Sequence, residues 1–390
     1  QLQKDRGNMM PMNYFDHAAS TFIYPEVLDL LSKSFKDDFA NPNSQHLFGA
    51  NLFKKIEAAR SYFLMVLKAG KDDSFIFTSS ATESNNTVVR GLDLNEGDVI
   101  LYSKADHPSL VEPIEKMALE KKIKLKLIHL NKSGLIDHEE FKKLLLDENV
   151  KLVALTHVNN QSGVIHDIHA LSILVKENTK AHLHIDAVQS FTKIKFDVAD
   201  NIDSLSITSH KVGGPKGIAG LYLKKNHKVK PLLLGGGQEE GFRSSTQAYP
   251  LIIAFAEASK ISLKKCEESY SEIAQLRERV ETSVKTIVPQ VKFPFENSSP
   301  FICTFVLPGI PSDVILRHLE TRGFCLSSTS ACSSKQKGFN PTLAALNIPE
   351  IFHKNVLRLS FSHDTSVDSV NRLLAAFGEV WNDLKFLTQK

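Results

Sequence analysis

Two residues in the stretch His182–Leu223, HLHIDAVQSFTKIKFDVADNIDSLSITSHKVGGPKGIAGLYL, could do chemistry as a pair. Asp186 ends an apolar, strand-like run and is followed by Gln189. A second short apolar run, Ser204 to Thr208, delivers Ser209, His210 and Lys211 to a glycine-rich turn. A lysine amine can hold an aldehyde as a Schiff base. A facing carboxylate can keep a pyridine nitrogen protonated, so that the ring draws electrons off a substrate carbanion. That combination suits pyridoxal 5'-phosphate. Either residue alone is more often a surface lysine or a capping aspartate, so the pairing carries the signal.

Other chemistries fit this stretch less well. His182, His184 and Asp186 alternate and share one face of a strand, as metal ligands could. Alternating histidines and apolar residues are more often ordinary packing, and no metal site is assigned. Gly213, Gly214, Gly217 and Gly220 form neither a Walker loop nor the dinucleotide spacing G-x-G-x-x-G.

Further candidates share one placement. Thr78-Ser79-Ser80-Ala81-Thr82-Glu83 follows the apolar run Ser74–Phe77 and opens a helix. Its free backbone N–H groups and helix dipole make a ready anion site, here for the cofactor phosphate at Ala81 and Thr82. The loop Ala105-Asp106-His107-Pro108 follows a strand at Val99–Tyr102. Asn159-Asn160-Gln161-Ser162-Gly163 follows a strand at Leu152–Val158. Thr82, His107, Asn160, Asp186, Gln189 and Lys211 thus all lie just after predicted strands. In open α/β sheets ligands gather at that end.

The elements that must position them alternate along the chain. Helices are expected at Pro25–Phe39, Gly49–Leu67, Asp137–Leu146 and Ile168–Glu177. Strands are expected between them, including Lys124–Leu130. This order argues an α/β fold: a large domain whose mostly parallel sheet is covered by helices on both faces. From Leu263 to Ile287 apolar residues recur every three or four positions, which predicts one long amphipathic helix containing Cys266. Strand Ile302–Val306, helix Pro311–Arg322, strand Val356–Phe361 and helix Val367–Leu384 then read as a smaller α+β C-terminal domain. The expected division is a leader or expression remnant at 1–12, a large cofactor domain at 13–258 and a small domain at 259–390.

Composition bounds the alternatives. The 390 residues are 42% hydrophobic and 23% charged, with a formal net charge of +3. Those are the proportions of a soluble globular protein, with no nucleic-acid footprint and no membrane-spanning run. Four cysteines (Cys266, Cys303, Cys325, Cys332) in so long a chain imply a reducing compartment, hence the cytoplasm. Cys303 and Cys325 sit among apolar neighbours in expected strands and read as packing.

From about Asn13 to about Leu384 the chain resembles the cysteine desulfurases of the NifS/IscS kind, within the class V aminotransferase group of fold-type I pyridoxal phosphate enzymes. The marks are FDHAAST, TSSATES, HVNN, HIDAVQS, SHKVGGPKG, RSST and SSTSACSS. The resemblance implies a homodimer that converts L-cysteine to L-alanine and hands the sulfur to an acceptor protein, for iron–sulfur cluster or thio-cofactor synthesis. It implies that Lys211 is the Schiff-base lysine and proton acceptor, that Asp186 pairs with the pyridinium, and that Gln189 and Asn160 bond the ring or substrate. His107 would stack on the ring and move protons. Ala81, Thr82, Thr208 and His210 would hold the phosphate, with Thr246 reaching across from a second subunit. Arg358 would take the substrate carboxylate, and Cys332 would receive sulfur as a persulfide, since a thiolate is the softest nucleophile available.

Some positions depart from that pattern. Ser245 and Thr329 stand where glycine is usual, Glu240 where arginine is common, and NNQSG where many members read NNEIG or NNETG. The chain also stops short of the tail that docks a scaffold in several members. None of these touches the cofactor set; the sulfur acceptor stays unidentified. A selenocysteine lyase, or another β-eliminating class V enzyme, would share every cofactor residue. A catalytically silent, cofactor-binding partner protein is the alternative of a different class.

Overall fold

A computed structural model describes residues 13–198, 201–328 and 339–386. The chain begins with β1 (Asn13–Tyr14), α1 (Pro25–Asp37), α2 (Leu47–Val66), β2 (Ser74–Thr78) and α3 (Ala81–Gly91). It continues through β3 (Val99–Tyr102), α4 (Pro108–Lys121), β4 (Lys124–Leu127), α5 (His138–Leu145), β5 (Val150–Thr156) and α6 (Ile168–Asn178). Then come β6 (His182–Asp186), β7 (Ser204–Thr208), β8 (Ala219–Leu223) and the 39-residue α7 (Tyr249–Ile287). The last elements are β9 (Ile302–Val306), α8 (Ser312–Glu320), β10 (Phe324–Cys325), β11 (Ser327–Ser328), α9 (Pro341–Ala345), β12 (Val356–Ser360) and α10 (Val367–Leu384).

Seven strands form the main sheet, in the order β2-β8-β7-β6-β5-β3-β4. All run parallel except β8, which is antiparallel to both β2 and β7. The sequence explains this arrangement. β6 (HLHID), β7 (SLSIT) and β8 (AGLYL) are buried almost throughout, as strands covered on both faces must be. β4 (KLKL) has a wet face and lies at the edge, where lysines discourage further pairing. Gly220 is required in β8 because a Cβ there would stand 2.0 Å from the Phe75 ring.

A second, smaller sheet, β11-β12-β9, is antiparallel and packs with α8 and α10. Its apolar interior joins Phe305, Leu357, Phe377 and Trp381 to Ile273 and Val280 of α7. The N-terminal strand belongs to this region too: β1 pairs in parallel with β10, and Phe15 lies in the same cluster. α7 spans both interiors, running unbroken across position 258.

Two elements differ from expectation by more than two residues at an end. The strand expected over Lys124–Leu130 ends at Leu127. The long helix begins at Tyr249 rather than near Leu263. Between 252 and 259 its residues Ile252, Ala254, Phe255, Ala256, Ala258 and Ser259 are buried on several sides. Without a wet face there is no helical stripe to read.

Candidate active site

Asp186 closes β6 at the carboxyl edge of the sheet and is buried. Its carboxylate accepts from the Val188 backbone N–H at 3.0 Å and from Asn85 Nδ2 at 3.0 Å. Asn85, on α3, also donates to Ser109 Oγ at 3.0 Å, and its Oδ1 lies 3.0 Å from His184 Nε2. His184 Nδ1 and His182 Nε2 both reach Ser204 Oγ, at 2.8 and 2.7 Å. The alternating histidines are thus tied into the strand network that fixes Asp186, and burial holds their proton affinity down, to about 3 for His184.

Lys211 comes from the next strand over. β7 ends at Thr208 and passes into one 3-10 turn, Ser209–Lys211, which Gly213 reverses at φ +81°. A side chain at Gly213 would meet the Tyr24 ring at 2.2 Å, while the Tyr24 N–H bonds the Gly213 carbonyl at 3.0 Å. The turn therefore needs glycine there. Lys211 Nζ donates to the carbonyls of Ala18 and Ala19, the latter at 2.6 Å. Burial first, then the charges of Lys193 and Arg358, push its proton affinity down to about 7, against the opposing pull of Asp16 and Asp186. An amine so held is available as a base near neutrality.

The anion site expected after β2 has the required form. Ser80 caps α3, its Oγ accepting from the Glu83 N–H at 3.2 Å. The Ala81 and Thr82 N–H groups lie in the helix's first turn, where no intrahelical carbonyl can reach them. Glu83 binds back to the Ser79 N–H at 2.8 Å and takes Arg243 Nε at 2.9 Å. Burial raises the proton affinity of Glu83, but Arg243 and the Ser79 donors outweigh it and keep it low. Thr208 is buried at the end of β7, and His210 Nδ1 lies 3.3 Å from Ser20 Oγ. Burial, then the charges of Lys211, Lys216 and Lys193, hold His210 near 4, so it is neutral at physiological pH.

The remaining candidates line the same edge. His107 caps α4 through its ring, which lies 2.8 Å from Ser109 Oγ. It stays open to solvent on one side, yet its recessed position lowers its proton affinity. Gln189 donates to the Ala18 carbonyl at 2.8 Å while its Oε1 is buried without a partner. The Asn160 carbonyl accepts from Arg358 at 2.8 Å. Arg358, 5% exposed on β12, also donates to Asp16 Oδ1 at 2.7 Å, and its Nε is buried without a partner.

Pyridoxal phosphate fits these residues. An orphaned acceptor on Gln189, a first helical turn of N–H groups, and an amine of lowered proton affinity one strand over from an anchored carboxylate are the complement of its ring, phosphate and aldehyde.

Two expected residues are not joined to this group. Thr246 is exposed on the loop before α7 and hydrogen-bonds none of the others. Cys332 lies outside the described residues. Four residues escaped the sequence reading: Asn85, Ser109, Asp16 and Asp106. Asp106 is buried beside His107 with Oδ2 unpartnered; burial and then the nearby Asp186 charge push it up to about 7. Its position beside His107 was a usable signal. Asn85, three residues into α3 beyond the TSSAT turn, gave none.

A lysine and an aspartate at adjacent strand ends, a helix-capped anion site beside them and a seven-stranded mostly parallel sheet define a fold-type I pyridoxal phosphate enzyme. Residues 13–373 match the family Aminotransferase class-V, and the chain belongs to it. It is 31% identical over 385 residues, 96% of each chain, to a protein of Dictyoglomus turgidum named cysteine desulfurase IscS. Among solved structures it resembles a NifS-like protein at a TM-score of 0.88 and 27% identity, covering 96% of this chain and all of that one. It also resembles a NifS-like protein from Rickettsia africae at 0.85 and 29%, covering 95% and 99%.

Proposed function

We propose that this protein is a pyridoxal phosphate-dependent cysteine desulfurase that converts L-cysteine to L-alanine and passes the sulfur to Cys332 as a persulfide. The observation that carries the reading is the near-neutral amine of Lys211 held at the strand edge with Asp186, in a chain whose relatives bear that name. The cofactor, when bound, supplies the electron sink for a carbanion at the substrate Cα. Asp186, locked by Asn85 and the Val188 N–H, holds the pyridine nitrogen. Ala81, Thr82, Thr208 and His210 hold the phosphate, while Gln189 and Asn160 bond the ring's oxygen side. His107, open to solvent on one side, would stack on the ring.

Lys211 takes the Cα proton at Nζ. Arg358 holds the substrate carboxylate, a role for which its orphaned Nε and its neighbour Asp16 leave one face of the guanidinium to share. The Cys332 thiolate then attacks the substrate sulfur. An S–S bond forms, the substrate Cβ–S bond breaks with its electron pair left on Cβ, Cβ takes up a proton, and return of a proton from Lys211 Nζ to Cα completes alanine.

The same reading takes residues 13–258 as the cofactor-binding domain and 259–390 as the small domain that carries Cys332. It makes the protein a homodimer in which Thr246 completes the partner's phosphate site. Phe22, Leu28, Phe35, Phe39, Leu47 and Phe48 are exposed on the segments around α1 and α2, and a second copy would cover them. Cys266, Cys303 and Cys325 are free thiols, as a cytoplasmic protein's would be. A thiol-bearing acceptor protein must take the sulfur onward. Among the described residues no helix is long and apolar enough to cross a membrane.

The test is turnover of L-cysteine by the cofactor-loaded protein, with alanine and sulfide measured together and L-selenocysteine and L-alanine as controls. Equal amounts of alanine and sulfur support the reading. Cleavage of selenocysteine alone would replace it with a lyase.

A further inference from the structure

Asn85 on α3 and His184 on β6 are fully buried, and neither touches cofactor or substrate in the chemistry above. Buried polar groups are destabilising unless each donor meets an acceptor, so the bonds around them can be assigned atom by atom. Asn85 Nδ2 lies 3.0 Å from Asp186 Oδ2 and 3.0 Å from Ser109 Oγ, and both of its protons are used there. Turning the amide over would set its carbonyl oxygen against the carboxylate, acceptor to acceptor. Oδ1 therefore faces His184 Nε2, at 3.0 Å, and can only accept. Burial keeps the His184 ring uncharged, so its single proton must sit on Nε2. His184 Nδ1 is then an acceptor, 2.8 Å from Ser204 Oγ, which donates to it. That uses the one hydroxyl proton of Ser204, and His182 Nε2 donates to the same oxygen at 2.7 Å. Ser206 Oγ, 3.5 Å from His184 Nε2, competes only weakly.

The second N–H of Asn85 leads to His107. The Ser109 backbone N–H donates to His107 Nδ1 at 3.1 Å, so that nitrogen carries no proton. Ser109 Oγ, 2.8 Å from the same nitrogen, is therefore a donor to it, while an oxygen lone pair receives Asn85 Nδ2. The ring proton of His107 is left on Nε2. One amide thus holds Asp186 directly and His107 through a single hydroxyl. The alternation of HLHID brings His184 to the face of β6 that carries Asp186, where it meets the amide between them.

We propose that Asn85, turned by His184, is a positioning residue for the reaction: a joint that fixes the Asp186 carboxylate and the His107 ring relative to each other. His184 decides which way the amide faces, because its Nε2–H accepts no other orientation. Turning the amide would remove the donors to Asp186 and Ser109 together. The proposal rests on the roles given to Asp186 and His107 above, and it adds what couples them.

The test takes two readouts from the cofactor-free protein at neutral pH: nitrogen-15 spectra of its histidine rings, and its affinity for added pyridoxal phosphate by visible absorbance. In wild type, His107 and His184 should each carry the ring proton on Nε2 alone. Asn85→Leu, close in size but without polar atoms, should weaken pyridoxal phosphate about tenfold and shift the signals of both rings. His184→Met should weaken it as much. It should also move the His107 signals, although among the described residues the two rings connect through Asn85 and Ser109. His184→Gln keeps an N–H near the Nε2 position and should restore both the affinity and the His107 spectrum. A proton on Nδ1 of wild-type His184, an affinity unmoved by Asn85→Leu, or an equal loss in His184→Gln and His184→Met would overturn the proposal. The wild-type spectra need no variant, so they decide even where a substituted chain does not fold. No cysteine enters either measurement, so a failure to desulfurate it would leave these results standing.

Discussion

Lys211, Asp186 and Arg358 divide the proposed chemistry among an amine, a carboxylate and a guanidinium, and each can be tested alone. Lys211→Ala should abolish turnover and the visible absorbance of the loaded protein, while the phosphate site still retains some cofactor. A coloured, active variant would remove Lys211 from its role. Asp186→Ala leaves Asn85 Nδ2 and the Val188 N–H without their acceptor and the pyridine nitrogen without its partner. A rate loss of at least a hundredfold is expected, on the order of 3 kcal/mol of transition-state stabilisation, with the unfolding temperature little changed. Arg358→Lys keeps the charge but loses the planar fork, so the KM for cysteine should rise about tenfold while cofactor spectra stay the same. Steady-state kinetics decide; an unchanged KM would place the substrate carboxylate elsewhere. At this scale the sequence was legible where a residue type is rare for its surroundings, as with Lys211 in a glycine-rich turn. Asn85 and Ser109 were not legible, because an asparagine and a serine in helices are ordinary until the fold brings them to Asp186.

Among the elements, the loop before α7 is fixed to α2 by a buried ion pair and to β2 through the same carboxylate. Arg60 NH1 and NH2 lie 2.8 and 3.2 Å from the two oxygens of Glu239. That carboxylate also accepts from the Phe77 N–H at 2.8 Å and from Gln247 at 2.5 Å. Glu239 and Glu240 both adopt positive φ, and Glu240 accepts from Ser74 Oγ at 2.5 Å. The glutamate standing where arginine is common thus still ties the loop to the start of β2. Glu239→Gln would leave the buried Arg60 with only the partly exposed Glu57 as a counter-ion, so a loss of about 3 kcal/mol is expected in urea unfolding. A change within 1 kcal/mol would show that the pair does not anchor the loop. β3, β6, β9 and α10 occur at their expected residues because each is bounded by turn residues and keeps a clean apolar pattern. The start of α7 was hidden by burial on several faces. The pairing of β1 with β10 was hidden because two-residue strands at opposite ends of the chain leave no local signal.

Burial lowers the proton affinity of histidines across the whole molecule. His17, His157, His166, His182 and His210 are held near 4, and His184 and His363 near 3, with burial the first cause throughout. Their unfolded value is about 6.5. Below that pH the unfolded chain binds protons that the folded chain refuses, so stability is complete above about 6.5 and falls as the pH drops toward 4. Each residue contributes about 1.4 kcal/mol per pH unit in that window. Urea midpoints taken from pH 7 to pH 5 should therefore fall steeply; a flat profile would mean that these imidazoles ionise in the folded state. The exposed aromatic residues around α1 and α2 predict a mass of two chains by light scattering, and a stable monomer would leave Thr246 without a site to complete. The central claim, sulfur transfer to Cys332, is tested most directly by mass spectrometry of the loaded protein after incubation with L-cysteine, followed by peptide mapping. One added sulfur on the Cys332 peptide, absent from Cys332→Ser although that variant still binds cofactor and cysteine, is the predicted result. Sulfur on Cys303 or Cys325, or full turnover by Cys332→Ser without added thiol, would contradict it.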